Sequence, residues 1–204
     1  WDPIAGTDDL EGLAGIDAVV HMAGAGVGDR RWTDSYKKTI LDSRVDGTHT
    51  IVRAMTQLDP KPRTLVAGSA IGWYGETGDR AVDETAPAGT GFLADVVRAW
   101  EAAADPAREA GIRVTHARTG LVVSGAGGAW ARLFPIFKLG LGGKLGSGRQ
   151  YWSWISLRDE ISALMYLLDN ESLSGPVNLT GPAPATNSEV TEAMGRVLHR
   201  PTLF

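Results

Sequence analysis

The chain has 204 residues, 43% of them apolar and 22% charged, with a net charge of −4, 26 glycines and no cysteine. That length and composition suit one well-buried globular domain and exclude two of ordinary size. They also exclude disulfides, a thiolate nucleophile and cysteine-ligated zinc; no basic stretch tracks a nucleic acid, and no apolar run approaches a bilayer span. The expectation is a cytoplasmic protein acting on a small molecule, without nucleic-acid or membrane partners, with a homodimer left open.

Residues 1–15 read as polar and irregular, with a short helix starting around Asp8. The run 16–24 predicts a strand entering a Gly-rich turn. Thr33 or Asp34 caps a long helix to Leu58, in which Ile40, Leu41, Val45, Ile51, Val52 and Met55 recur near helical spacing. The apolar run 65–68 predicts a buried strand of a parallel sheet, ending in the small and aromatic residues Gly68 to Gly75. Residues 76–91 form a long polar loop, read as a lid or substrate loop. Leu93, Val96, Val97, Trp100, Ala103, Ala104 and Ala107 mark a core-facing helix, with Pro106 kinking or ending its last turn.

Residues 112–118 predict another strand, and a short helix follows from Ala129. A Gly-laden segment then leads to 151–155, where Trp152 and Trp154 alternate with Ser153; they read as a stacking wall or as buried core. Asp159 opens a helix to Leu168, 176–180 is a last short strand, and Asn187 or Ser188 caps a helix to His199. Strands alternating with helices at this spacing predict an α/β, Rossmann-like fold with a mostly parallel sheet. Residues 1–140 would form a partial dinucleotide-binding core, and 141–204 a small substrate-binding lobe plus a strand returning to the core.

The four histidines are scattered without metal-ligand spacing, and no serine sits in a G-x-S-x-G turn, so zinc and serine-hydrolase chemistry are not expected. The segment Gly24 to Gly28 carries Asp29 where G-x-G-x-x-G needs its third glycine, and reads as a tight turn after a strand.

Several segments together resemble the extended short-chain dehydrogenase/reductases: Val19 to Gly24, Arg44 to Thr48, Gly68 to Gly75, and Gly146 to Gln150 followed by Trp154 to Asp159. Arg31-Trp32, Trp100 to Ala103, Arg118-Thr-Gly120 and Ser174 to Asn178 narrow this to the atypical epimerase-family branch. In that family a strand, a Gly-rich phosphate turn and a second strand precede a segment like Trp1 to Pro3, so the resemblance implies a piece of a parent of roughly 300 residues.

The resemblance implies a nicotinamide cofactor, NADP with NAD open, held by Ala23, Gly24, Arg44, Arg118, Thr119 and Gly120. It places Gln150 and Trp154 against the substrate, and Ser69 and Tyr74 as the hydroxyls for catalysis, although Ser69 reads equally as a small residue packed at a strand end. The family's Tyr-x-x-x-Lys relay is absent: Leu93 and Val97 occupy its two positions. The expected function is oxidoreductase or epimerase chemistry with a non-standard site, against a nucleotide-binding regulatory scaffold that has lost catalysis.

Overall fold

The computed structural model describes Asp2 and residues 11–202; the helix expected around Asp8 lies outside them. In chain order the elements are β1 (Ala18–His21), α1 (Asp34–Gln57), β2 (Thr64–Ala70), a 3-10 turn (Ile71–Tyr74), α2 (Phe92–Ala102), α3 (Asp105–Glu109), β3 (Arg113–Thr119) and β4 (Leu121–Val123). They continue with α4 (Gly128–Lys138), β5 (Tyr151–Trp152), β6 (Trp154–Ser156), α5 (Leu157–Asp169), β7 (Gly175–Leu179), β8 (Ala185–Thr186) and α6 (Asn187–Leu198).

The main sheet has the order β1-β2-β3-β7, and every pairing is parallel, with Leu65 opposite Val19 and Val114. All but the last residue of β2 are buried, because helices cover both faces. On one face Leu65 and Val114 meet Ile51, Val52 and Met55 of α1 and Ala107 of α3. On the other, Val66, Ala117 and Leu179 meet Leu167 of α5.

A smaller lobe joins α4 and α6 around Trp130, Phe137, Val190 and Met194, with Trp152 edge-on to Trp130 at 5.8 Å between centroids. Its apolar core therefore takes α4 from the segment before residue 141. Arg132 of α4 reaches across to the β1–α1 connection, donating to Gly28 O and pairing with Asp29 at 2.8 Å. No described helix is long and apolar enough to cross a membrane.

Four local expectations shift. Thr186, not Asn187 or Ser188, caps α6, in a capping box completed by Glu189. Helix α5 starts two residues before Asp159, because the Ser156 hydroxyl accepts from the Asp159 amide. Pro106 lies in the first turn of a separate helix, α3, where its missing N–H costs nothing. Leu93 is 36% exposed while Val97 is buried, so the apolar row of α2 begins at the edge of the core.

Candidate active site

The strand ends gather the candidate side chains, at the carboxyl edge where parallel sheets place their sites. Beyond β1, the residues Ala23, Gly24 and Ala25 face Thr39, Asp42, Ser43 and Asp46 of α1 across a cavity of about 500 Å³. Helix α1 clamps this turn from both sides. The Ser43 hydroxyl accepts from Ala25 N at 2.9 Å, and Arg44 Nη1 donates to Ala25 O at 2.9 Å. Arg44 lies so close under Gly24 that an added Cβ there would sit 3.1–3.2 Å from its side chain. Its guanidinium stacks over Trp100 at 5.0 Å and has no ion-pair partner among the described residues. Burial of that cation lowers its pKa from the ordinary arginine value.

At the ends of β2 and β3 a buried polar network replaces the apolar core. Ser69 Oγ donates to Glu101 Oε1 at 2.6 Å; Arg118 grips the same carboxylate through Nε at 2.8 Å and Nη2 at 3.0 Å. Arg118 Nη1 donates to the Tyr74 hydroxyl at 3.1 Å, and that hydroxyl donates to Asn178 Oδ1 at 2.7 Å. The guanidinium also lies over the Trp73 ring at 4.0 Å. Desolvation lowers the Arg118 pKa, but its bonds to Glu101 and Tyr74 outweigh that and hold it above the usual value.

The structure thus brings Ser69, Tyr74 and Arg118 into one cluster, with their polar atoms turned to each other. Arg118, expected at the cofactor, has its side chain only 2% exposed and its donors taken by Glu101 and Tyr74. The Ser69 and Tyr74 protons point along the network, while the rest of Tyr74 borders a groove of about 270 Å³ under the 76–91 loop. Gln150 is spent on Leu145 O at 2.9 Å. Trp152 and Trp154 belong to different two-stranded sheets, because β5 pairs with β8 and β6 with β4. Trp152 is lobe core, and Trp154 is half-buried in β6. Sequence reasoning missed Glu101, Asn178 and Glu84. Glu101 carried a signal: it continues the Leu93 and Val97 row at i+8, and a carboxylate on an apolar row needs a buried partner.

Thr119, expected at the cofactor, donates to Glu160 Oε1 at 2.8 Å, and Gly120 is wedged against Ser153 O. Glu160 is 5% exposed, and its Oε2 has no hydrogen-bond partner among the described residues. Burial raises its pKa, opposed only by the Thr119 bond. The folded state therefore binds this proton more tightly, so stability is present below the ordinary carboxylate range and is lost as pH rises through the raised value. Glu160→Gln keeps an acceptor for Thr119. It is expected to raise the melting temperature of the full-length protein at pH 8 by roughly 2–4 °C, what about 1 kcal/mol yields at this size. At pH 4 the gain should vanish; an equal gain at both pH values would rule out the ionisation.

An all-parallel main sheet flanked by helices, with a glycine turn at its carboxyl edge, is the architecture of the short-chain dehydrogenase class. The chain belongs to the NAD dependent epimerase/dehydratase family, whose model matches residues 5–180. It is 50% identical over 202 residues to an epimerase family protein of Mycobacterium bovis, covering 99% of this chain and 66% of that one. An epimerase family protein of Staphylococcus aureus is 37% identical over 189 residues, covering 91% and 62%. The chain thus spans just under two thirds of the length of these curated relatives. Among solved structures, a human epimerase family protein with NADPH superposes with a TM-score of 0.86 at 30% identity, over 96% of this chain and 68% of that one. A nucleoside-diphosphate sugar epimerase from Corynebacterium glutamicum gives 0.83 at 33%, over 99% and 43%.

Proposed function

We propose that this chain is the catalytic-edge portion of an NAD(P)-dependent oxidoreductase or epimerase. The supporting observation is the cavity beyond β1, lined by Ala23, Gly24 and Ser43, with Arg44 packed against Gly24 and without an ion-pair partner among the described residues. Such a guanidinium fits a cofactor bearing phosphates. A nicotinamide dinucleotide, when bound, supplies hydride transfer. Ala23 and Gly24 would let its body approach the backbone, and Arg44 would hold a negative group.

NADP(H) is the favoured form, since the human relative above was solved with NADPH. Substrate would occupy the groove between the 76–91 loop and the lobe. In this reading Ser69, Tyr74 and Arg118 hold the strand ends in place from beneath, and the proton for the substrate comes from a group other than the missing Tyr-x-x-x-Lys pair.

The experiment is NADPH fluorescence titration of the full-length protein, followed by turnover on a panel of carbonyls and sugar nucleotides. Arg44→Gln is expected to weaken NADPH roughly ten- to a hundredfold, the range for loss of one charge-assisted hydrogen bond. Affinity unchanged by Arg44→Gln would remove the site assignment. Dinucleotide binding with no turnover across the panel would favour the scaffold reading.

A further inference from the structure

Three neighbouring cavities along the lobe share wall residues. One of about 270 Å³ runs beside Tyr74, and it shares Thr77 and Arg80 with one of about 430 Å³. That second cavity shares Asp79 and Tyr151 with a third of about 340 Å³. The polar 76–91 loop forms one wall of this groove, and the residues on its tip, Thr77 to Val82, face Tyr151, Ser153 and Thr180.

The far end of the loop is well held: Gly89 N donates to Trp73 O at 2.8 Å, and Trp73 Nε1 donates to Ala86 O at 3.2 Å. The hydrogen bonds found for residues 76–83 instead close turns inside the loop, from Gly78 N to the Glu76 carboxylate, Arg80 N to Thr77 O, and Thr85 to Asp83. The tie from this half to the sheet is made just beyond it, where Glu84 Oε1 accepts from the Asn178 backbone N–H of β7 at 2.7 Å. Asn178 is also where the buried network ends, its Oδ1 accepting from Tyr74.

We infer that Glu84 is the positioning residue of the substrate groove: its bond to β7 sets the loop tip against the lobe and so fixes the groove's width. This rests on the groove being the substrate site of the proposed function. A carboxylate accepting a backbone N–H is a strong, directional contact, yet among the described residues it is this half's one hydrogen bond to the sheet, so the tip moves as a unit when it breaks. Because Asn178 donates its backbone N–H to Glu84 and accepts from Tyr74 with its side chain, one residue registers the loop against the strand-end network.

The test is amide hydrogen exchange by mass spectrometry on the full-length protein, comparing wild type, Glu84→Ala and Glu84→Gln. Exchange in residues 77–83 is expected to rise roughly tenfold in Glu84→Ala, while β2 and α2 keep wild-type protection. Glu84→Gln, whose amide oxygen accepts the same N–H, should restore most of the protection. Unchanged exchange in Glu84→Ala would overturn the assignment, as would deprotection spreading into β2, or a glutamine variant no better than the alanine. NADPH titration of the same wild-type sample separates the two claims: failure to bind would count against the dinucleotide site and leave the loop measurement standing.

Discussion

Replacing Arg118 by Met is expected to lower the unfolding free energy of the full-length protein by about 3–5 kcal/mol, the usual cost of leaving one member of a buried ion pair alone. The Arg118 and Glu101 side chains are 2% and 10% exposed, so solvent cannot screen the carboxylate left behind. The same substitution strips the Tyr74 hydroxyl of a donor and Trp73 of the cation above it. Because the cost lies in the orphaned charge, the double substitution of Arg118→Met with Glu101→Leu should recover part of it. Urea denaturation followed by tryptophan fluorescence measures both. A single variant losing less than about 1 kcal/mol would mean the pair behaves like an exposed one, and the network would not be what holds the strand ends.

The second large effect is expected at Gly89. A Cβ there would overlap the carbonyl oxygen of Tyr74, lie 2.5 Å from its carbonyl carbon and 2.8 Å from Gly75 N. These are backbone atoms, which cannot swing aside as a side chain could. Gly89→Ala must therefore push the returning end of the loop away from the turn after β2, against its own bond to Trp73 O. Overpacking of this kind costs about 1–3 kcal/mol, and the displacement acts directly on Tyr74. A lowered melting temperature with exchange raised around 72–75 and 86–90 is the expected result; a melting temperature within a degree of wild type would show that the loop end yields freely. This effect is distinct from that at Glu84, which loosens the tip and leaves the turn in place.

Much of the architecture was legible because burial imposes periodicity on the chain. The continuous apolar run of β2, the helical spacing of α1 and α2, and the alternation of strand with helix all follow from covering a parallel sheet on both faces. The residues that resemble the family drew attention to the Ala23 and Gly24 turn, and both residues line the cavity beyond β1. Cap positions were harder to read. Thr186, Asn187 and Ser188 all carry groups able to cap, and only the backbone conformation of Thr186 selects among them.

The direction of the strand-end side chains was not legible at all. Ser69, Tyr74 and Arg118 are as polar in the sequence as any residues at a reactive centre. Whether a polar group turns to a cavity or to another polar group depends on partners 17 to 104 positions away, Glu101 and Asn178 among them. Local propensity carries no information across that separation. The sequence by itself determined the sheet and its helices, because those follow from apolar patterning along the chain. Only the tertiary structure decided that a carboxylate in an apolar row meets Arg118 and that Glu84 reaches β7, because pairing of buried charge is settled by which strands lie side by side.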